Sequence, residues 1–255
     1  MIAPISTLAQ GKKLYFASDF HLGVPNKEVS RERERKIVAW LDLVKKDAAA
    51  IFLVGDIFDF WFEYKYTIPK GFIRLQGKLA EIKDSGIPVY FFTGNHDMWM
   101  FDYFTDELSI PVFREPQTVL VSGKKLLVGH GDGLGPGDHF YKVLKKVFSN
   151  KLCQRAFAIL PSYIGMGIAN YWSKNSRLSN NKQEEQFLHE NEWIYQYCKE
   201  MEEKEHFDYY IFGHRHLPLD MQVGANSRYI NLGEWVNFQT YANFNGTNLL
   251  LEYFK

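Results

Sequence analysis

Apolar residues come in short bursts along this chain, and each burst is followed by the same kind of polar residue. Leu14-Tyr15-Phe16-Ala17-Ser18, Ile51-Phe52-Leu53-Val54, Ile87-Pro88-Val89-Tyr90-Phe91-Phe92 and Tyr209-Tyr210-Ile211-Phe212 are nearly continuous apolar runs. They have the length expected of strands covered on both faces. Val119 to Val121 and Leu126 to Val128 flank Ser122-Gly123 and predict a hairpin, while Arg228 to Leu232 and Leu249 to Phe254 predict closing strands. Two stretches follow the helical period instead. Arg31 to Lys46 places Ile37, Trp40, Leu41 and Val44 on one face, and Phe72 to Asp84 is a second amphipathic helix, ended by Ser85-Gly86. The Arg/Glu run of the first helix reads as a solvated face. Strand, helix, strand, helix in this order predicts right-handed crossovers and parallel strands whose C-terminal ends share one edge.

The residues just past each run are of one chemical kind. Asp19-Phe20-His21 comes after the first strand, Gly55-Asp56 with Asp59 after the second, and Gly94-Asn95-His96-Asp97 after the third. Gly129-His130-Gly131-Asp132 ends the hairpin, and Gly213-His214-Arg215-His216 ends the strand beyond it. Alternation of an extended backbone puts Asp19 with His21, and His214 with His216, on common sides. Five of the eight histidines fall at these strand ends; His139, His189 and His206 lie in helical or polar surroundings and read as surface or packing residues. The strand ends together offer Asp19, His21, Asp56, Asn95, His130, His214 and His216. This oxygen and imidazole set without thiolate suits Mn²⁺, Fe or Zn²⁺. Seven donors exceed the needs of one tetrahedral ion. Two ions roughly 4 Å apart, bridged by a shared carboxylate, need about this many, and such a pair is a recurrent device for hydrolysing phosphate esters. Asp56, from the central strand, is the natural bridge.

Composition narrows the function classes. At 255 residues with no linker-like stretch, the chain is expected to form a single α/β domain carrying an insertion. Thirty basic and thirty acidic residues cancel, so no global field holds a polyanion, and a nucleic-acid partner is not expected. Cys153 and Cys198 are far apart with no CxxC partner and are expected as buried free thiols in a reducing compartment. The stretch MIAPISTLAQGKK has neither the basic nor the apolar part of a secretory signal, so residence in the cytoplasm is expected.

The succession Asp19-x-His21, Gly55-Asp56-x-x-Asp59, Gly94-Asn95-His96-Asp97, Gly129-His130 and Gly213-His214-x-His216 resembles the calcineurin-like metallophosphoesterase superfamily, with all five blocks in the family's order. The resemblance implies a four-layer αββα sandwich with two mixed β-sheets and a helical lid insertion. It also implies that Asp19, His21, Asp56 and His216 hold one metal ion and that Asp56, Asn95, His130 and His214 hold the other. His96, not a ligand in the family, would face the leaving group as general acid, with Asp59 orienting it. A simple phosphate donor is the other reading of His96. The chemistry is coherent without the family. Two divalent ions acidify a water between them and neutralise phosphoryl oxygens, and an imidazole beside them can protonate the leaving group.

Substrate choice belongs to insertions, and here the insertion runs from about Asp138 to His206. Its first part, to Leu178, holds Lys142, Lys145, Lys146, Lys151, Arg155, Lys174 and Arg177 against one acid, Asp138. Its second part, Glu184 to Glu205, is acid-rich. Phe140, Tyr141, Val143, Leu144, Val147 and Phe148 make a broad apolar face, and Ala156 to Tyr171 carries no charge but is broken by Pro161, Gly165 and Gly167. It is shorter than the ~20 residues that span a bilayer. A greasy, basic lid able to hold acyl chains and rest on anionic lipid is one reading, and an ordinary packed helical hairpin the other. Asp19-Phe20-His21-Leu22-Gly23, Gly55-Asp56-Ile57-Phe58-Asp59-Phe60-Trp61, His130-Gly131-Asp132 followed by Asp138 and Tyr141, and Gly213-His214-Arg215-His216-Leu217-Pro218 are similar to the UDP-2,3-diacylglucosamine diphosphatases of lipid A synthesis.

That resemblance implies cleavage of a pyrophosphate to UMP and 2,3-diacylglucosamine 1-phosphate, Mn²⁺ as the metal, and peripheral attachment to the cytoplasmic face of the inner membrane; no obligate protein partner is evident in the sequence. It implies Asp138 and Tyr141 near the sugar; Lys174, Arg177 and Lys182 are candidate phosphate or glucosamine contacts by spacing. The best-known branch carries arginine where this chain has His96. The competing expectations are a phosphohydrolase acting on a soluble nucleotide or a phosphoprotein, and a non-catalytic scaffold of the same fold.

Overall fold

The computed structural model describes residues 2–137, 139–168 and 186–255. Two mixed sheets face one another. The first contains β1 (Lys13–Ala17), β2 (Ala48–Val54), β3 (Val89–Phe92) and β4 (Val112–Phe113), all mutually parallel neighbours, extended on the β1 side by antiparallel β10 (Thr240–Phe244) and β11 (Leu249–Tyr253). The second runs β5 (Gln117–Val121), β6 (Lys124–Gly129), β7 (Tyr209–Phe212), β9 (Ser227–Leu232) and β8 (Pro218–Gly224). Its centre, β6-β7-β9, is parallel and its two edges are antiparallel.

The alternation of side chains explains the layers. Leu14 and Phe16 of β1, with Ala50, Phe52 and Val54 of β2, point to Val119, Val121, Leu126, Val128, Ile211, Ile230 and Leu232 of the facing sheet. Phe16 and Phe52 stack with ring centroids 4.7 Å apart. Tyr15, Ala17, Ile51 and Leu53 point the other way, onto Ile37, Trp40, Leu41 and Val44 of α1 (Lys27–Val44) and Leu75, Leu79 and Ile82 of α2 (Ile73–Asp84). The short α3 (Tyr103–Leu108) adds Phe104 to the same cluster. On the far face of the second sheet, Leu127, Tyr210, Phe212 and Tyr229 meet Ile194, Tyr195 and Cys198 of α6 (Trp193–Glu202). The order is therefore helix, sheet, sheet, helix, as the family resemblance implies. Each fully buried aromatic or aliphatic side chain in these clusters contributes roughly 1.5–3 kcal/mol of burial.

Between β6 and α6 lie the helices α4 (His139–Phe148) and α5 (Lys151–Ile159). Asn150 caps α5 by accepting the N–H of Leu152 at 2.8 Å, and Leu160, in an extended conformation before Pro161, ends it. Trp99 donates its indole N–H to the Phe148 carbonyl at 2.8 Å, and the Phe157 ring lies 4.8 Å from Trp99 and 4.7 Å from Phe62, so both helices are seated on the domain. α6 falls within the stretch 138–206 and supplies the fourth layer.

Three expectations change. The charged run of α1 is not wholly solvated: Arg33 and Glu34 are buried. Arg33 donates to the carbonyls of Phe20 (3.2 Å) and His21 (2.8 Å), and Glu34 accepts the N–H groups of Arg74 and Leu75 at the start of α2. Cys153 is exposed on α5, and only Cys198 is buried. The helix predicted from Arg31 starts at Lys27, capped by Asn26, whose side chain accepts the Val29 N–H.

Candidate metal centre

The parallel strands β1, β2, β3, β6 and β7 all end on one side of the sandwich, and the polar residues after each of them meet there. Asp19 Oδ1 lies 3.3 Å from His216 Nε2 and 3.6 Å from His21 Nε2, and the two imidazole nitrogens are 3.0 Å apart. Asp56 Oδ2 lies 3.9 Å from His21 Nε2 and 3.3 Å from His130 Nε2. Asn95 Oδ1 sits 3.0 Å from His214 Nδ1 and 3.3 Å from His130 Nε2. Asp19, His21, Asp56 and His216 form one group able to hold a metal ion, and Asp56, His130 and His214 form another, with ligand atoms within 4.8 Å of one another in each. Asp56 is common to both.

The backbone is bent to achieve this. Asp19, His21, Asp56, His214 and His216 all have positive φ, between 44° and 70°, the left-handed region that non-glycine residues avoid unless their surroundings enforce it. The enforcement is visible. Asp97, fully buried, accepts N–H bonds from Ile57 (2.8 Å), Gly94 (2.7 Å), Asp56 and Phe58 (both 3.3 Å), locking the β2 and β3 loops together. The His96 N–H donates to Asp56 Oδ1 at 2.8 Å, and the His214 N–H to Asp19 Oδ2 at 3.0 Å. Gly94 is glycine because a Cβ there would collide with the Asp56 carboxylate. Behind these loops, Glu63 accepts from the N–H groups of Phe101, Asp102 and Tyr103 and from the Trp61 indole.

The protonation pattern fits a cation. His130 Nδ1 is 2.9 Å from the Val54 carbonyl, an acceptor only, so Nδ1 carries hydrogen and Nε2 is the nitrogen aimed at Asp56 and Asn95. Asp19 Oδ1 is buried without a hydrogen-bond donor. Lone pairs facing one another in a dry pocket repel unless positive charge lies among them. The side chains themselves register that demand. Burial opposes charging His130, yet the Asp56 carboxylate, by charge and hydrogen bond, takes its pKa up to about 10. His21 rises to about 9 against its burial, through the Asp19 and Asp59 carboxylates beside its two ring nitrogens. Burial, joined by the charge of His130, pushes His214 down to about 4. Burial alone would raise the pKa of Asp19; the His21 and His216 imidazoles beside it hold it well below the usual carboxylate range.

His96 stands beside this cluster, its Nδ1 3.0 Å from the Asp59 carbonyl and 3.7 Å from Asp59 Oδ1. The same Asp59 oxygen is 3.7 Å from His21 Nδ1, so the carboxylate lies between the two rings. Tyr141, on α4, gives its hydroxyl to Asp132 Oδ2 at 2.6 Å, and its ring centroid is 6.4 Å from that of His214. Asp138, Lys174, Arg177 and Lys182 lie outside the described residues. Sequence reasoning missed the roles of Asp132 and Lys145. Asp132 is buried one step past the His130 loop, and Lys145 bridges to its carboxylate at 2.8 Å and its carbonyl at 3.0 Å, pinning α4 to the centre. The Asp of His130-Gly131-Asp132 and the Tyr141 and Lys145 positions four apart on a helix were the available signal.

Residues 12–218 match the family model of the calcineurin-like phosphoesterases. The chain is 38% identical over 253 residues to a UDP-2,3-diacylglucosamine hydrolase of Porphyromonas gingivalis (strain ATCC BAA-308 / W83), covering 94% of this chain and 97% of that one. It is 27% identical over 227 residues to the UDP-2,3-diacylglucosamine hydrolase of Photorhabdus laumondii, covering 86% and 90%. A family match across most of its length, joined to clustered metal-type donors at the ends of parallel strands, means that the chain belongs to the calcineurin-like phosphoesterase family.

Proposed function

We propose that the protein hydrolyses the pyrophosphate of UDP-2,3-diacylglucosamine, taking up one water and releasing UMP and 2,3-diacylglucosamine 1-phosphate. The observation that carries this reading is a buried carboxylate, Asp56, common to two clusters of metal-type donors. The named relatives supply the substrate. Asp19, His21, Asp56 and His216 would hold one divalent ion and Asp56, Asn95, His130 and His214 the other; the oxygen and imidazole set suits Mn²⁺, Fe or Zn²⁺, and the resemblance favours Mn²⁺. When bound, the pair supplies an acidified water and the positive charge that meets the phosphoryl oxygens.

The chain's own residues do the rest. Val54 holds His130 in the tautomer that presents Nε2. Asp97 fixes the two loops that carry Asp56 and Asn95. His96, with Nδ1 donating to the Asp59 carbonyl, keeps Nε2 for proton exchange with the oxygen of the departing phosphate. Tyr141, with Asp138, would border the sugar, and Lys174, Arg177 and Lys182 its phosphate.

Within residues 138–206, inserted into a single domain, the part before α6 would form the cover for the acyl chains. A small cleft of about 180 Å³ lined by Leu22, Phe60, Pro69, Lys70, Phe72 and Met166 opens beside Asp59 and offers an apolar entry to the site. Val143, Val147, Leu152, Ile159 and Tyr163 are exposed alongside the exposed Lys146, Lys151 and Arg155, a composition suited to a peripheral site on the anionic cytoplasmic face of the inner membrane. No helix among the described residues is long and apolar enough to cross a membrane.

The test is incubation with UDP-2,3-diacylglucosamine in Mn²⁺ buffer made with ¹⁸O-water. Release of UMP bearing the label, abolished by chelator, is the expected result. Turnover of a soluble nucleotide or phosphopeptide, with the acylated nucleotide sugar untouched, would refute the substrate assignment and leave the hydrolase assignment standing.

A further inference from the structure

The strand-end loop Gly213-His214-Arg215-His216 contributes to both metal-type groups, His214 to one and His216 to the other. Both histidines have positive φ, 70° and 55°. Such a loop needs external support to hold its shape. Three supports come from the sheets: Asn231 donates its side-chain amide to the Gly213 carbonyl, the Asp19 carboxylate accepts the His214 N–H, and the Gly213 N–H donates to the His130 carbonyl at 2.9 Å. Another comes from elsewhere. The two imidazoles turn into the site, whereas the guanidinium between them turns away and meets Glu192, whose side chain is fully buried. Arg215 Nε donates to Glu192 Oε2 at 2.6 Å and Nη2 donates to Glu192 Oε1 at 3.0 Å, a forked pair with both carboxylate oxygens engaged. Nη2 also donates to the Gln186 carbonyl at 2.9 Å.

Glu192 is itself fixed. It precedes the first turn of α6, its carbonyl accepts the Gln196 N–H at 2.9 Å, and its Oε1 accepts the Leu188 N–H at 2.9 Å. Residues 186–192 are the return from the insertion to the second sheet. One side chain thus ties the insertion's return to a loop that serves both groups.

We propose that Arg215 is a positioning residue that, through its fork to buried Glu192, locks His214 and His216 in register with the return of the insertion, so that the cover and the metal edge hold their geometry as one unit. This rests on reading His214 and His216 as metal ligands. Lysine cannot replace the fork, because an ammonium offers a point charge where two oxygens and a carbonyl need planar donors. Removing either partner strands the other as a buried charge, so the two losses should not add.

The experiment uses the full chain with Arg215→Lys, Arg215→Met, Glu192→Gln and the double variant Arg215→Met/Glu192→Leu. In metal-free protein, amide hydrogen exchange across residues 213–216 should rise ~10-fold or more in each single variant while the strands of the first sheet keep wild-type protection. On titration with Co²⁺, affinity should fall ~10–100-fold, with an altered visible spectrum, and kcat should fall with KM nearly unchanged. The double variant should be no worse than the singles. Wild-type exchange, cobalt affinity and spectrum in the single variants, with only a lower Tm, would overturn the proposal. If the wild-type protein takes up no cobalt, the metal-centre reading fails, and the exchange measurement still decides the tether: raised exchange upholds it and unchanged exchange overturns it.

Discussion

The edge of the two sheets and the insertion above it are built on opposite principles. At the sheet edge buried side chains fix the backbone: Asp97 takes four backbone N–H bonds, and five non-glycine residues sit in the left-handed region. In the insertion, α4 and α5 leave Val143, Val147, Leu152 and Ile159 exposed and are seated through a few contacts, Trp99 to Phe148, Phe157 among aromatics, and Lys145 to Asp132. A site that must hold like donors close together needs rigidity, because any relaxation would let the lone pairs drift apart. A surface proposed to receive a long apolar chain needs the reverse. Chemistry is therefore expected to be fragile to changes at the edge, and substrate preference to changes in the cover.

The sharpest way to break this contrast is Asp56→Asn, which removes the charge common to both donor groups. Turnover should fall by ~10³-fold or more, with loss of bound metal read by elemental analysis. Next comes His96→Ala, which should lower kcat by ~10²-fold while the metal content stays unchanged. Equal activity would move the proton donor elsewhere. In the insertion, Lys146→Glu with Lys151→Glu should weaken binding to anionic vesicles by ~5-fold per charge, at about 1 kcal/mol for each cation near the surface, with kcat on detergent-dispersed substrate unaffected. Sedimentation with and without the anionic lipid checks it.

The smallest effect is a pH response of the metal-free protein. His130 and His21 have folded-state values raised to about 10 and about 9, above the ordinary histidine value. Their contribution to stability is complete below about pH 6.5 and is lost as the pH climbs through those raised values. The Tm of chelated protein should therefore decline between pH 7 and pH 10, whereas metal-loaded protein, in which a cation has displaced those protons, should hold its Tm across that window.

The same contrast governs what could be read without a structure. The five donor loops were legible because a carboxylate, amide or imidazole directly after an apolar run has few cheap structural explanations, and Asp19, Asp56, Asn95, His130, His214 and His216 each stand in that position. The strands that carry them were legible for the same reason. Arg33 and Glu34 were misread, since a buried charge on an amphipathic helix has the same local pattern as a solvated one and differs only in what tertiary packing brings against it. β10 escaped notice because Thr240-Tyr241-Ala242-Asn243-Phe244 mixes polar and apolar residues, and it is buried through neighbours distant in sequence. Tyr141 was identified in the insertion, but its hydroxyl partner, Asp132, depends on how α4 is seated.

The proposed shared role of Asp56 is tested outright by anomalous scattering from crystals grown with Mn²⁺. Two manganese peaks roughly 4 Å apart are expected, with the Asp56 carboxylate in contact with both, Asp19, His21 and His216 on one, and Asn95, His130 and His214 on the other. A single peak, or two peaks of which only one touches Asp56, would contradict a dinuclear centre built around that carboxylate.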